Sequence, residues 1–163
     1  MSSRKLSYGA LLCACAIIFG YIESLLPLPI PIPGIKLGLS NLVLLYALYQ
    51  NKPLAWRIMF VKVLASSLLF SGMTAFFYAL AGGICSMLVM TLLLKAGKFS
   101  VISVSMAGGV FHNLGQLAAA ILLLVNIKAG YWLPFLILAG GLAGTILGVV
   151  CRILLKRLPA WDF

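Results

Sequence analysis

Six apolar stretches, at about residues 6–26, 37–51, 53–71, 73–95, 99–126 and 131–155, follow one another with only turn residues and isolated charges between them. A bilayer core about 30 Å thick needs about 20 predominantly apolar residues per helical crossing. The succession therefore predicts an all-α integral membrane protein of six transmembrane helices. Composition agrees, with 64% hydrophobic and only 9% charged residues, where a water-soluble domain carries about 25% charge. A chain of 163 residues has room for one transmembrane domain, 1–163, and little else. The second stretch is short if its helix starts at Ser40, so it is expected to begin inside the membrane or to be completed by the preceding loop.

Lysines and arginines are retained on the cytoplasmic side of a membrane, whereas acidic residues matter little. An N-terminus placed inside puts Arg4, Lys5, Lys52, Arg57, Lys95, Lys98, Arg152, Lys156 and Arg157 at cytoplasmic ends and leaves Lys36 and Lys128 outside, with Lys62 within the third span. Both termini are thus expected in the cytoplasm. Arg4-Lys5 before an apolar run, with Ala14-Cys15-Ala16 downstream, has the form of a secretory signal. The apolar run continues to Leu26 and five more follow, which favours an uncleaved first helix.

The net charge of +10 reflects topology and anionic lipid headgroups, since no basic and aromatic pattern for nucleic acid is present. Cys13, Cys15, Cys85 and Cys151 fall inside expected helices as small apolar residues. No Cys/His cluster has metal spacing, and no metal or cofactor is expected. Gly140, Gly144 and Gly148 form a small-residue stripe that lets backbones approach, either within the chain or toward another subunit.

Polar groups within the spans carry more information, because each is costly unless it faces protein or water. They are Glu23, Asn41, Lys62, His112, Asn113 and Gln116. Helical spacing puts His112 and Gln116 on one face, with Asn113 three residues from Gln116. These groups either cross-link helices, with Lys62 and Glu23 as an ion pair, or line a substrate cavity. Donors outnumber the one acid within the spans, so a ligand bearing phosphate, carboxylate or several carbonyls would satisfy them.

Between the first two stretches runs PLPIPIPGIKLGLSN, Pro27 to Asn41. Each proline fixes its own φ and drives the residue before it toward extended geometry, giving a stiff strap. At about 3.1 Å per residue it spans roughly 19 Å from Pro27 to Pro33. Gly34 and Gly38 then allow tight turns, and Ser40 or Asn41 can cap the second helix. With Lys36 nearby, the helix start forms a candidate anion cradle.

Glu23 followed by this stretch, Arg57 in the third helix and His112-Asn113-x-x-Gln116 in the fifth resemble the Gx transporter family, catalogued also as heptaprenyl diphosphate synthase component I. The resemblance covers nearly the whole chain. It implies a bundle like the substrate-binding S components of energy-coupling factor transporters, multi-pass proteins of the bacterial cytoplasmic (plasma) membrane whose first loop covers an outward-facing site. On that basis Glu23, Lys36, Asn41, Lys62, His112, Asn113 and Gln116 are expected to bind a small-molecule substrate. Ala10-x-x-x-Ala14 is similar to the motif by which S components contact the coupling protein, whose ATPase subunits supply the energy.

The two family names imply different functions. A prenyl diphosphate synthase chelates magnesium through aspartate-rich motifs, and the sole aspartate here is Asp162. The chain is therefore expected not to be an enzyme, although it could assist heptaprenyl diphosphate synthase as a non-catalytic membrane subunit. It lacks a G-x-x-x-x-G-K-[ST] loop, so ATP-driven transport would need a partner's motor. The expected reading is a membrane component that captures an anionic or amphipathic ligand, flavin-like or an isoprenoid precursor. Phe60, Phe76, Phe77, Tyr78, Phe111 and Trp132 are available either to stack a flat ring or to pack.

Overall fold

The computed structural model describes residues 3–25, 38–124 and 127–158. They form six α-helices: α1 (Ser3–Leu25), α2 (Leu39–Gln50), α3 (Lys52–Ser66), α4 (Gly72–Ala96), α5 (Val101–Leu124) and α6 (Leu133–Arg157). A wider π turn, Ser67–Ser71, joins α3 to α4, and a short 3-10 segment, Ile127–Trp132, leads into α6. Pro27, Lys36 and the rest of the proline stretch before Gly38 lie outside the described residues, as does Asp162.

Local chemistry sets the breaks. Asn51, in extended conformation, closes α2 through its N–H to the Ala47 carbonyl at 2.7 Å. Its Oδ1 accepts from the Leu54 N–H at 3.1 Å, capping α3, and Pro53 sits in the first turn, where its missing donor costs nothing. One residue is therefore the entire link between two helices. At the other end of α3, Gly72 adopts φ 79° and ψ 174°, a conformation open essentially to glycine alone. The chain doubles back there: a Cβ on Gly83 of α4 would lie 3.0 Å from Met59 Sδ of α3.

Four runs are long and apolar enough to cross a membrane: Lys5–Leu25, Lys52–Ala96, Val101–Leu124 and Lys128–Arg157. The second, of 45 residues, contains both α3 and α4 and folds back at Gly72. α2 has 12 residues and rises about 18 Å, short of the roughly 30 Å hydrocarbon core, so length does not make it a sixth crossing. It is instead enclosed, with Val43 to Leu48 all buried, the expected state of a helix apolar on every side. A Cβ on Gly38, just before α2, would meet Leu147 near the middle of α6 at 3.3 Å. The short helix thus starts well inside the bundle.

α4, α5 and α6 pack as an antiparallel slab through backbone contact. A Cβ on Gly109 would fall 2.2 Å from the Gly140 carbonyl oxygen, and one on Gly140 2.6 Å from that of Gly109. Gly144 and Gly148 continue the seam against Ser105 and Ile102. The glycine stripe of α6 is thereby engaged within the chain, and the second-subunit reading of it falls away. On the outer surfaces Leu11, Ile18, Leu138, Leu142, Ile146 and Ile153 are exposed, as suits helices solvated by lipid. Cys151 is buried, and Cys13, Cys15 and Cys85 are partly buried, all as free thiols.

The helices alternate in direction, so the ends of α1, α3 and α5 and the starts of α2, α4 and α6 lie toward one end of the bundle. The other end carries the starts of α1, α3 and α5 and the ends of α2, α4 and α6. Lys5, Lys52, Arg57, Lys95, Arg152, Lys156 and Arg157 belong to the latter end by their helical positions, and Lys98 by its place between α4 and α5.

Candidate functional site

A cavity of about 590 Å³ opens between α1, α2 and α3 on one side and the α4–α6 slab on the other. Glu23, Asn41, Lys62, His112, Asn113 and Gln116 all contribute to its lining. All five buried polar side chains among the described residues, Glu23, Ser40, Ser67, Ser86 and Ser105, face the same space. Most of the buried polarity is thus gathered in one place, where it can meet water or a ligand, with the Tyr49 hydroxyl and Thr91 Oγ1 buried elsewhere.

The lining is held from several helices. Lys62 Nζ donates to Asn41 Oδ1 at 3.1 Å, tying α3 to the first turn of α2. Glu23, on the last turns of α1, accepts the Gly38 N–H through Oε1. Both of these contacts are made to the start of α2. The cap differs from expectation. Gly38, at φ 77°, is the N-cap and no side chain caps the helix; the Asn41 N–H returns to the Gly38 carbonyl at 2.7 Å. The reason is physical: Asn41's amide is drawn to Lys62, and the Glu23 carboxylate sits at the positive end of the helix dipole. The candidate anion cradle at α2 is therefore filled by the protein's own acid.

On the slab side, His112 and Gln116 straddle Gly82 of α4, whose added Cβ would meet Gln116 Cγ at 2.7 Å and His112 Cε1 at 3.1 Å. Asn113 Nδ2 donates to the Leu136 carbonyl at 2.8 Å, stitching α5 to α6. That residue both lines the cavity and cross-links two helices. Of the aromatic residues, Tyr78 and Trp132 line the cavity, Phe60, Phe77 and Phe111 are exposed outside it, and Phe76 packs against the core. Lys36 lies outside the described residues. Ala10 and Ala14 are exposed on the outer face of α1.

Sequence reading missed Ser66, Ser67, Phe70 and Ser71, all of which line the cavity around the π turn. Lys128, exposed at the end of the bundle opposite the basic cluster, also belongs to the lining. The signal for Ser66 was its position one turn beyond Lys62 on the same helix face. Ser66 Oγ is buried and has no hydrogen-bond partner among the described residues.

Long apolar helices with lipid-compatible surfaces around an internal polar cavity define a multi-helix membrane protein with room for a small molecule, since such sites run from about 300 to 1,000 Å³. The chain belongs to the heptaprenyl diphosphate synthase component I family, which it matches over residues 12–154. No curated protein and no solved structure matches it.

Proposed function

We propose that this chain is the substrate-binding membrane component of a small-molecule transporter, capturing an anionic or amphipathic ligand from the outer side. The observation that carries the reading is the convergence of buried Glu23, Ser40, Ser67, Ser86 and Ser105 with Asn41, Lys62, His112, Asn113 and Gln116 on one ligand-sized cavity. A scaffold that merely spanned the membrane would have no need to retain such groups. Glu23, Asn41, Lys62, His112, Asn113 and Gln116 act as the substrate-binding set, with Lys36 added from the proline-rich loop.

In this reading the helices form an S-component-like bundle with six passes, α2 completed by its neighbouring segment. The basic end faces the cytoplasm of a bacterial cell, together with both termini, and the cavity opens outward. The exposed Ala10 and Ala14 offer a flat strip of α1 to a coupling protein, whose ATPase subunits drive reorientation. Mass spectrometry of small molecules retained by the purified protein tests the proposal. A bound ligand lost on substitution of Lys62 supports it; a protein that retains nothing and whose deletion leaves uptake intact overturns it.

The family description favours a second reading, a non-catalytic membrane subunit of heptaprenyl diphosphate synthase. Under it, deletion impairs prenyl diphosphate synthesis in extracts while uptake stays normal, and the chain co-purifies with a catalytic subunit.

A further inference from the structure

Along α5 the lining of the cavity runs from Leu124 to Ser105, about 28 Å at 1.5 Å per residue. That is nearly the depth of a hydrocarbon core. On α4 it reaches Met90 and on α2 Leu45, each within about 9 Å of the helix end at the basic side. Only side chains close the space there. Leu45, Leu48, Met59, Met87, Val104 and Cys151, the largest fully buried side chains among the described residues, come from five helices and belong to one cluster. Two hydroxyls stand at the same level. Tyr49, at the end of α2, packs against this cluster, and Thr91 lies one turn beyond Met87 on α4. The oxygen of each is buried with no hydrogen-bond partner among the described residues. Such groups are costly where they stand, and a second state that wets them accounts for their presence.

The two layers around the cavity are held differently. Within the slab, helices meet backbone to backbone: a Cβ on Gly115 would lie 2.7 Å from the Ala81 carbonyl oxygen, and one on Gly144 2.6 Å from that of Ser105. Between the layers the contacts are tips of flexible side chains. Met59 Sδ would lie 3.0 Å from a Cβ on Gly83, and Leu147 Cδ1 3.3 Å from one on Gly38. Packed side chains can slide past one another, whereas interlocked backbones cannot. The chain passes from one layer to the other once, at the end opposite the basic cluster, through the π turn and Gly72. Gly72, at φ 79° and ψ 174°, supplies a pivot there.

We infer that the cavity has a second, closed exit at the basic end, opened when α1, α2 and α3 swing as one body from the α4–α6 slab about the π turn and Gly72. The swing lifts Met59 from Gly83, parts the leucine and methionine plug and admits water to Tyr49 and Thr91. α1 travels with α3 because Gly9 lies against Leu54 and Gly20 against Ser66. The inference rests on the reading of the cavity as a ligand site and adds how that site is emptied, through the chain's own inner end.

Thiol accessibility in the full chain in nanodiscs tests it. Thr91→Cys, in a background lacking the four native cysteines, should react with the charged reagent trimethylammonioethyl methanethiosulfonate, which lipid excludes. A Cβ on Gly83 would lie 3.4 Å from Met59 Cγ, so Met59→Cys and Gly83→Cys place their Cβ atoms within about 5 Å, near disulfide range. Added to Thr91→Cys, this bridge should abolish labelling at position 91 when oxidised and restore it when reduced, as located by mass spectrometry. Labelling that ignores the bridge, or that never occurs, would overturn the exit.

Spin labels give a second reading that needs no disulfide. Labels at exposed Phe60 of α3 and Ile153 of α6 should show a broad or two-peaked distance distribution, and labels at exposed Leu92 of α4 and Ile153 a single narrow one. Two narrow distributions would sink the swing. A floor that stays closed in protein that still retains a small molecule would remove the exit alone and leave the ligand site standing.

Discussion

Lys62 Nζ and Asn41 Oδ1, 21 residues apart in sequence and 3.1 Å apart in space, fasten the third helix to the first turn of the second. An ammonium within an apolar bundle gains much from a carbonyl oxygen, and loss of that acceptor leaves a charge poorly solvated. Asn41→Leu should therefore lower stability by about 1–3 kcal/mol. Asn41→Leu combined with Lys62→Met should be less unstable than Asn41→Leu alone, because the charge leaves with its acceptor. Thermal unfolding of the four proteins of this cycle in detergent measures the coupling; strict additivity would show that the contact carries no weight.

The α5–α6 seam makes a sharper structural prediction. Gly140→Ala would set a methyl group 2.6 Å from the Gly109 carbonyl oxygen and 2.8 Å from its carbon, backbone atoms that cannot swing aside. The helices must part, at a cost of about 1–3 kcal/mol typical of overpacking. Gly130→Ala, with nothing within 4 Å and no positive φ, should leave the melting temperature nearly unchanged. Equal effects at the two positions would contradict the close packing.

At Gly72 the conformation rather than the space is restrictive. An added Cβ meets nothing within 4 Å, yet φ is 79°. Gly72→Val should cost of order 1–3 kcal/mol through backbone strain, with the damage concentrated at the α3–α4 turn. Hydrogen exchange should report faster opening of Ser67–Ser71 than of α5. Uniform loss of protection would mean that the turn is not the seat of the effect.

Topology follows from the distribution of basic residues between the two ends. In a background lacking the four native cysteines, a cysteine placed at Lys128 should react with a membrane-impermeant reagent applied to intact cells, and one at Lys98 should not. The reverse pattern would invert the orientation.

The strip on α1 separates folding from assembly. Ala10 and Ala14 are exposed, so Ala10→Trp and Ala14→Trp should leave expression and thermal stability within about 0.5 kcal/mol of the parent. Both should abolish co-purification of coupling subunits. A variant that keeps its partners would show that the strip faces lipid alone.

The helical layout was legible because apolar run lengths report it directly: α1, α4, α5 and α6 follow the sequence boundaries closely, and even the short α2 starts within a residue of Ser40. The gathering of Glu23, Asn41, Lys62, His112, Asn113 and Gln116 was legible for a related reason, since polar groups in such helices have few places to go. What the sequence concealed was partner choice. Glu23 meets the Gly38 N–H, and Asn41 turns from capping to binding an ammonium. Those outcomes depend on where α2 begins relative to α1 and α3, which periodicity does not encode. The serines around the π turn were hidden because hydroxyls are common in membrane helices and only their shared orientation marks them out.

Asn51 is the whole connection between α2 and α3, and the Lys62–Asn41 contact closes the same pair at its other end. Two rods pinned at both ends behave as one lever. A torque applied to α3 at the basic end of the bundle has no slack in which to dissipate and reaches Asn41 and Gly38 about 18 Å away, the rise of α2. The enclosed helix is then a transmission element: whatever grips the bundle at its basic end moves the floor of the cavity with it.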